Sequence, residues 1–254
     1  MTEKDFTGIS VIVTGGGSGI GRQVALQVAE RGGRVIVADI ADTAATVAEE
    51  IAATGGAAEA VVGDITDQAV VDTLVETAGS GDIALVNNAG VMDQFAGAAD
   101  TDDRMWQRCL TINVTAPFQL TRAVLPVMRE NGRGAIVNVG SAASIRGAAA
   151  GAAYTASKHA LAGLTKNTAY TYAKENIRCN LVAPGGVDTN IMSSIDQSTI
   201  DPAAGLGVLT PIHQSAVRNA RPEETAAAIV FLLSPAASNV NGAIIPVDGG
   251  WAAG

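Results

Sequence analysis

The residues best suited to chemistry are a tyrosine and a lysine four positions apart, Tyr154 and Lys158. In a helix, residues at this spacing lie on the same face. A phenol with its ordinary pKa of about 10 is a poor base at neutral pH. A neighbouring ammonium group favours the phenolate and lowers that pKa, which suits general acid–base catalysis. Ser141 follows the strand before this helix, where its hydroxyl could bind a carbonyl group. The pattern predicts a site that moves a proton to or from an oxygen atom.

A glycine-rich turn, Thr14–Gly21, lies between the first predicted strand and the first predicted helix. Glycines permit a tight turn and a close approach of the backbone to a pyrophosphate, whose charge is stabilised at a helix N-terminus. The spacing, with glycines at 15, 19 and 21, differs from the commoner G-x-G-x-x-G fingerprint. The turn alone is weak evidence, but its position after the first strand favours a dinucleotide site.

Asp39 closes the second predicted strand. An acid at this place can hydrogen-bond the adenosine ribose hydroxyls and repels a 2′-phosphate. No lysine or arginine stands at Gly17, Ser18 or Ile40, from which a cation would hold that phosphate. Arg22 is the nearby cation, and its helical position can aim it elsewhere. These residues favour NAD over NADP.

The elements that must position these residues alternate between strand-length apolar runs and longer helix-like segments. The predicted strands are Ile9–Thr14, Arg34–Asp39, Ala58–Gly63, Ile83–Val86, Gly134–Val139, Ile177–Ala183 and Ala243–Val247. The predicted helices are Gly19–Arg31, Asp42–Thr54, Asp67–Ala78, Thr101–Arg129, Ala152–Glu175 and Pro222–Leu233. This alternation predicts an α/β fold: a Rossmann-like, doubly wound parallel sheet of about seven strands with helices on both faces, forming three layers.

The pattern predicts a single domain over residues 1–254, because no linker interrupts it. One stretch, 185–220, has no confident strand and only a weak helical pattern. So long a stretch within a compact domain is typical of a functional loop. We expect it to be a lid over the substrate.

The composition excludes several classes of protein. The net charge of −9, without a basic cluster, disfavours nucleic-acid binding. The two cysteines, Cys109 and Cys179, lack neighbours at ligand spacing, so we expect neither a disulfide nor a metal site. The polar N-terminus lacks the apolar core of a signal peptide, and no apolar stretch is long enough to span a bilayer. We therefore expect a soluble, cytoplasmic protein.

Taken together, the motifs resemble the short-chain dehydrogenase/reductase family, in its short single-domain form, from Thr14 to Gly250. The matching positions are Thr14-Gly15-x3-Gly19-Ile20-Gly21, Asp64, Asn87-Asn88-Ala89-Gly90, Asn113, Ser141, Tyr154-x3-Lys158 and Pro184-Gly185-x-Val187-x-Thr189.

The resemblance implies a catalytic role for four residues of an NAD(P)-dependent oxidoreductase. Tyr154 would be the general acid in reduction and the base in oxidation, with Lys158 lowering its pKa and binding the nicotinamide ribose. Ser141 would orient the carbonyl group. Asn113, in the middle of the predicted helix Thr101–Arg129, would hold a water that relays protons from Lys158 to solvent.

The resemblance also implies a set of cofactor contacts. Asp64 and Ile65 would contact adenine, Asn88 would lie along a ribose, and Val187 and Thr189 would bind the nicotinamide carboxamide. The full predicted cofactor set is Gly15, Ser18, Gly19, Ile20, Gly21, Asp39, Asp64, Ile65, Asn88, Ala89, Gly90, Tyr154, Lys158, Pro184, Gly185, Val187 and Thr189.

Substrate and assembly are less constrained by the sequence. The 185–220 segment is mostly apolar, with three acids as its only formal charges before Arg218. It favours a neutral substrate: a secondary alcohol, a cyclic ketone or a steroid-like molecule. The resemblance further implies a homotetramer, joined through the helices predicted at 101–129 and 152–175. We interpret Asp93, Arg146, His213 and Gln214 as surface residues near the pocket rim.

Two other functions remain open. A 3-oxoacyl-thioester reductase would need basic residues at the mouth of the pocket to hold a carrier's phosphopantetheine. The sequence offers few of them there, namely Arg104, Arg108 and Arg146. A non-catalytic NAD-binding sensor is the other alternative, which the intact set of four catalytic positions disfavours.

Overall fold

The computed structural model describes residues 4–253, which form a seven-stranded parallel sheet flanked by helices. The strands lie in the order β3-β2-β1-β4-β5-β6-β7. Their bounds are β1 Ile9–Thr14, β2 Arg34–Asp39, β3 Ala57–Val62, β4 Asp82–Asn87, β5 Gly134–Val139, β6 Ile177–Pro184 and β7 Ile244–Val247. The predicted doubly wound α/β fold is therefore confirmed, with strand ends shifted by a residue or so at β3, β4, β6 and β7.

The sheet is covered on both faces because its strands are apolar on both. In β1, Val11 and Val13 point into one core and Ile12 into the other, all without exposed surface. Successive side chains of a strand point to opposite faces, so a continuous apolar run must be covered twice. Two helix layers do this. The helices are α1 Gly19–Glu30, α2 Thr43–Ala53, α3 Gln68–Ala78, α4 Asp103–Leu110, α5 Ala116–Glu130, α6 Ala152–Tyr172, α7 Leu206–Gln214 and α8 Pro222–Leu233.

Helices α1, α2 and α8 pack on one face, and α3, α5 and α6 pack on the other. Helices α3 and α4 begin at aspartates whose carboxylates accept backbone hydrogen bonds, Asp67 from Ala69 N and Asp102 from Met105 N. A carboxylate at this position satisfies a free N–H group and stabilises the positive end of the helix. Among the helices of residues 4–253, none combines the length and apolar character needed to cross a membrane.

Two predicted helices differ in detail. The helix predicted at Thr101–Arg129 begins at Asp103 and contains a five-residue π segment, Thr111–Thr115, between α4 and α5. The helix predicted at Ala152–Glu175 ends as α6 at Tyr172, followed by one 3₁₀ turn. The π segment could not be predicted from hydrophobic periodicity, because a π turn displaces the pattern by a single residue.

The 185–220 segment is more ordered than its sequence predicts. It contains three short 3₁₀ turns, at Ile191–Ser194, Gln197–Thr199 and Pro202–Ala204, followed by α7. Its ends are held together by a bridge between Val187 and Ala220. The helix escaped prediction because a glycine and a proline stand inside it, and both are poor helix formers.

The strand order changes direction between β1 and β4, which places a crevice at their carboxyl ends. In open α/β sheets, ligands bind at this switch point. The residues predicted to act in catalysis or cofactor binding end a strand at this edge, follow one, or lie on an adjacent helix.

Candidate active site

A cavity of about 910 Å³ opens along this edge of the sheet. It is lined by all but two of the residues predicted to act in catalysis or cofactor binding. The predicted residues in its wall are Gly15, Ser18, Gly19, Ile20, Asp39, Asp64, Ile65, Asn88, Ala89, Gly90, Ser141, Tyr154, Lys158, Pro184, Gly185, Val187 and Thr189. The two exceptions, Gly21 and Asn113, lie behind the wall.

The glycine turn has a shape that only glycine permits. Gly15 and Gly19 have φ angles of 61° and 50°, which side chains rarely tolerate. A Cβ atom on Gly21 would lie 2.1 Å from the Gly15 carbonyl oxygen, so Gly21 brings helix α1 against the turn. Ser18 precedes α1 and makes no side-chain capping bond, so its hydroxyl does not occupy the first N–H groups of the helix. This cradle fits the pyrophosphate of a dinucleotide.

Asp39 faces the same turn from the end of β2. Its carboxylate accepts hydrogen bonds from Gly17 N at 3.0 Å and Ala41 N at 3.1 Å. The nearby cation, Arg22, is directed away to Glu50, with two contacts of 2.6 and 2.7 Å from one guanidinium nitrogen. The acid therefore lines the cavity without a basic partner.

The end of β4 is attached to the glycine turn by Asn88, whose Nδ2 donates to Thr14 O at 2.9 Å and to Gly15 O at 3.1 Å. The preceding Asn87 donates to Asn138 Oδ1 at 2.8 Å and joins β4 to β5. The two amides therefore tie β4 to its neighbours β1 and β5. Asn88 also lines the cavity, so it serves both the scaffold and the wall.

Tyr154, Ser141 and Lys158 meet at the other end of the cavity. Lys158 Nζ lies 5.5 Å from the centre of the Tyr154 ring and donates to the Val139 carbonyl oxygen at 2.9 Å. Tyr154 and Ser141 both line the cavity here, and the serine side chain is close enough to the phenol to lower its pKa. Ser141 Oγ accepts from Ala143 N at 3.1 Å, which holds the serine at the end of β5.

Burial sets the acid–base character of this group. Burial raises the pKa of the Tyr154 phenol above its ordinary value. The Ser141 side chain opposes that rise, and the charge of Asp93 adds to it. Burial also lowers the pKa of Lys158 to about 8. The pKa of the phenol is therefore raised and not lowered as expected beside a lysine, because burial penalises the phenolate anion.

Asn113 occupies the π segment and is fully buried. Its Oδ1 accepts from Val91 N at 2.9 Å, and its Nδ2 donates to Val91 O and to Ser157 Oγ, each at 3.0 Å. Ser157 in turn donates to the Tyr154 carbonyl oxygen at 2.7 Å. A Cβ atom on Gly90 would lie 3.2 Å from Asn113 Oδ1 and 3.4 Å from Lys158 Nζ, so these groups crowd one point.

The far wall of the cavity contains residues that sequence reasoning did not assign to the site. His213, in α7, donates from Nε2 to the Ala149 carbonyl oxygen at 3.0 Å, since a carbonyl can only accept. Its ring lies edge-on between Phe95 and Trp251, with ring centres 5.9 and 6.0 Å away. These rings come from three distant parts of the chain, so no local sequence pattern predicts that they are in contact.

Trp251 closes this wall from the C-terminal side. Its Nε1 lies 3.0 Å from Ile212 O and 3.0 Å from Ser215 Oγ, which attaches it to the 185–220 segment. The Arg146 guanidinium lies over its ring, 5.4 Å from the centre, and donates to its carbonyl oxygen.

The interpretation of Asp93 as a surface residue is wrong. It is 1% exposed, and its carboxylate accepts from the backbone N–H groups of Phe95, Gly151 and Tyr154. The hydrogen-bond partner Gly151 is 58 residues away, which is why the sequence gives no sign of the contact.

Comparison with known proteins agrees with the family resemblance of the sequence motifs. Residues 15–252 match the family model described as enoyl-(acyl carrier protein) reductase. The short-chain dehydrogenase/reductase cdmF of Talaromyces verruculosus is 43% identical over 251 residues, which cover 95% of this chain and 96% of that protein. The 3β-hydroxysteroid dehydrogenase 2 of Eggerthella lenta is 37% identical over 254 residues, covering 98% and 96%.

A solved structure extends the match to three dimensions. A proposed NAD(P)-dependent gluconate 5-dehydrogenase from Beutenbergia cavernae, with NADP bound at low occupancy, has a TM-score of 0.85, 37% identity and 99% coverage of both chains. Fold, sequence and near-complete coverage agree, and the chain belongs to the short-chain dehydrogenase/reductase family of oxidoreductases, whose fold binds NAD(P).

Proposed function

We propose that the protein interconverts a secondary alcohol and a ketone, with NAD as cofactor and Tyr154 as general acid and base. The observation that carries this proposal is that Ser141, Tyr154 and Lys158 line one cavity with the dinucleotide cradle. Two hydroxyls at the same end of a cavity can bind one carbonyl oxygen.

The proposed mechanism divides the work among these residues. A nicotinamide held in the cavity supplies or accepts the hydride, which no protein side chain can do. Ser141 hydrogen-bonds and orients the carbonyl oxygen. Tyr154, whose raised pKa keeps it protonated at neutral pH, donates its proton to that oxygen in reduction and accepts it in oxidation.

Lys158 and Asn113 support the tyrosine. Lys158 places a cation beside the phenol and is anchored by Val139, so its charge stays fixed while the proton moves. Asn113 fixes Val91 on one side and Ser157 on the other. We propose that it also holds the water that connects Lys158 to solvent.

The cofactor preference rests on Asp39. Its carboxylate stands where an adenosine ribose would lie, and Arg22 is bound to Glu50 rather than available to a 2′-phosphate. The relative from Beutenbergia cavernae carries NADP. This chain's own residues favour NAD, because a 2′-phosphate beside an unpaired carboxylate meets like-charge repulsion.

The substrate end of the cavity supports a neutral, largely apolar substrate. Its wall beyond Tyr154 contains Met92, Ala149, Ile191, Met192, Ala216 and Trp251, beside the polar residues Arg108, Ser193, Ser194 and His213. We propose that the 185–220 segment is the lid over this end, since it supplies most of the wall and contacts the loop before α6 through His213.

The acyl-carrier alternative finds less support. The description of the matching family model names such a substrate. However, Arg146 is engaged with Trp251, and Arg108 donates to the carbonyl oxygens of Met92 and Ser194. Three arginines were candidates to hold the phosphopantetheine, and among the hydrogen bonds described for residues 4–253 only Arg104 donates none. We therefore retain the small apolar alcohol or ketone as the proposed substrate.

We propose a homotetramer as the assembly. Large apolar side chains remain exposed on the helices expected at the interfaces, namely Trp106 at 41%, Phe118 at 44% and Tyr170 at 89%. Isolated exposed residues are ordinary, but here they lie on α4, α5 and α6, the helices that the family resemblance assigns to subunit contacts. Sedimentation equilibrium would measure the mass of the assembly.

The proposal is tested by assaying a panel of secondary alcohols, cyclic ketones and hydroxysteroids with NAD(H) and NADP(H) in parallel, following nicotinamide absorbance. We expect turnover of neutral ketones with NADH. Turnover confined to acyl-carrier thioesters or sugar acids would contradict the proposed substrate class.

Tyr154→Phe separates an enzyme from a sensor. We expect it to retain NADH binding and to lose turnover by about 10²-fold or more, because the proton donor is gone. Full function of this variant would instead favour the non-catalytic sensor. Tyr170→Phe, an exposed tyrosine on the same helix, is the matched control.

A further inference from the structure

The catalytic helix α6 begins without a capping side chain of its own. Its N-cap residue is Gly151, which makes no side-chain capping bond. A Cβ atom on Gly151 would lie 2.6 Å from Asp93 Oδ2 and 2.8 Å from the Ala96 backbone, so no larger residue fits there without rearrangement. The first N–H groups of a helix need an acceptor when they are buried.

Asp93 supplies that acceptor from another part of the chain. Its Oδ1 accepts from Gly151 N at 3.2 Å and from Phe95 N at 3.0 Å, and its Oδ2 accepts from Tyr154 N at 2.9 Å. The last of these bonds fixes the backbone of the proposed proton donor. The loop after β4 is joined to α6 by the same carboxylate.

That loop is part of the active site. Val91 and Met92, just before Asp93, line the cavity, and Val91 is held by Asn113. Asp93 and Asn113 therefore join the same loop to α6 at two points, one at the start of the helix and one through Ser157. Movement of this loop would displace Tyr154.

We propose that Asp93 is a positioning residue for Tyr154: its buried carboxylate caps α6 from outside the helix and sets the charge environment in which the phenol exchanges its proton. This inference rests on the proposed role of Tyr154. A carboxylate at a helix N-terminus opposes the positive end of the helix dipole, which would otherwise favour the phenolate. In agreement, the charge of Asp93 raises the pKa of Tyr154.

Other charged or titratable groups surround the pair. Lys158 lies on α6 itself, Arg108 and Cys109 face it from α4, and His213 lies on α7. Burial raises the pKa of Cys109 to about 12, so this thiol stays neutral over the working range. A pH experiment must separate two groups from Tyr154: His213, and Lys158, whose pKa burial lowers to about 8.

The test compares Asp93→Asn with Asp67→Asn, which alters a carboxylate that caps α3, outside the active site. The introduced side-chain amide keeps one acceptor oxygen but turns a donor toward one of the three N–H groups. Using the best substrate from the panel, we expect Asp93→Asn to lower kcat about tenfold and to leave NADH affinity unchanged. We expect the acid limb of kcat/KM for oxidation to move down by roughly half to one pH unit, because the phenol loses a like charge.

Several outcomes would overturn the inference. The first is a pH profile of Asp93→Asn that superimposes on that of the wild type. The second is an equal shift of the acid limb in Asp67→Asn. The third is an acid limb that disappears in His213→Gln, because that limb would then report the imidazole. Melting temperatures of both asparagine variants separate general destabilisation from the pH effect. If Asp93→Asn cannot be purified, Asp93→Ser removes the same charge and keeps a hydroxyl acceptor.

The failure of this inference can be told from the failure of the proposed function. A wild type without turnover on any substrate contradicts both. An active wild type whose acid limb is unshifted in the variant contradicts the inference alone.

Discussion

Lys158 Nζ donates a hydrogen bond of 2.9 Å to the carbonyl oxygen of Val139, the last residue of β5. Ser141 follows two residues later, so one lysine side chain links the catalytic helix to the strand that ends beside the serine. The lysine is 3% exposed. This burial makes the link rigid. It also lowers the stability of the folded state, because the cation is removed from water.

We expect Lys158→Met to stabilise the protein while abolishing turnover. Burial lowers the pKa of Lys158 from 10.5 to about 8. Below pH 8 the folded state bears the full cost of the buried cation, about 3 kcal/mol. Between pH 8 and 10.5 the unfolded chain binds a proton that the folded state has released, so stability rises with pH.

The variant removes this cost and leaves Val139 O without its donor, for a net gain on the order of 2 kcal/mol at neutral pH. Urea unfolding would measure it, and the advantage over wild type should shrink towards pH 10.5. Lys166→Met, at an exposed position of the same helix, is the control. Destabilisation of Lys158→Met at neutral pH would refute this account.

We expect the two directions of the reaction to have opposite pH dependence. Burial raises the pKa of Tyr154, so the phenol is protonated at neutral pH. Reduction needs that proton and should slow as pH rises through the pKa. Oxidation needs the phenolate and should accelerate over the same range. Profiles of kcat/KM for a matched alcohol and ketone measure this, and parallel profiles in the two directions would count against Tyr154 as the proton carrier.

Replacing Asp39 with serine should relax the proposed preference for NAD. We expect the ratio of kcat/KM for NADP to that for NAD to rise by roughly 100-fold, because a like charge is removed from the 2′-phosphate. Some loss of NAD affinity should accompany it, since the ribose loses an acceptor. Asp42→Asn removes a neighbouring exposed acid and is the control. A wild type that already prefers NADP would show that Asp39 does not select the cofactor.

Truncating Trp251 should weaken substrate binding without affecting the cofactor. Trp251→Ala removes the wall against His213 and the surface covered by Arg146, so we expect about a tenfold loss in kcat/KM. Trp251→Phe keeps an aromatic face and loses only the Nε1 contacts with Ile212 and Ser215, so its effect should be smaller. Isothermal titration with NADH should give the same affinity for all three proteins. Equal kinetics in all three would place Trp251 outside the substrate site.

The sequence by itself determined the parts of the protein that depend on local physics. Apolar runs such as Val11–Val13 must be covered on both faces, which predicts a parallel sheet between helix layers. The glycines at 15, 19 and 21 require a turn that larger residues cannot form. Tyr154 and Lys158 share a face because four residues make about one helical turn. Family resemblance added Asn113.

Only the tertiary structure decided which distant groups meet. Asp93 has the local sequence of an ordinary loop acid, yet the fold buries it under a helix that begins 59 positions later, at Ala152. His213 and Trp251 become one wall because α7 and the C-terminus pack together. Arg22 is drawn to Glu50 by the packing of α1 against α2, which directs it away from Asp39. The physical reason is common to all of these: burial and hydrogen bonding between distant segments depend on three-dimensional packing, and neither periodicity nor spacing along the chain records that packing.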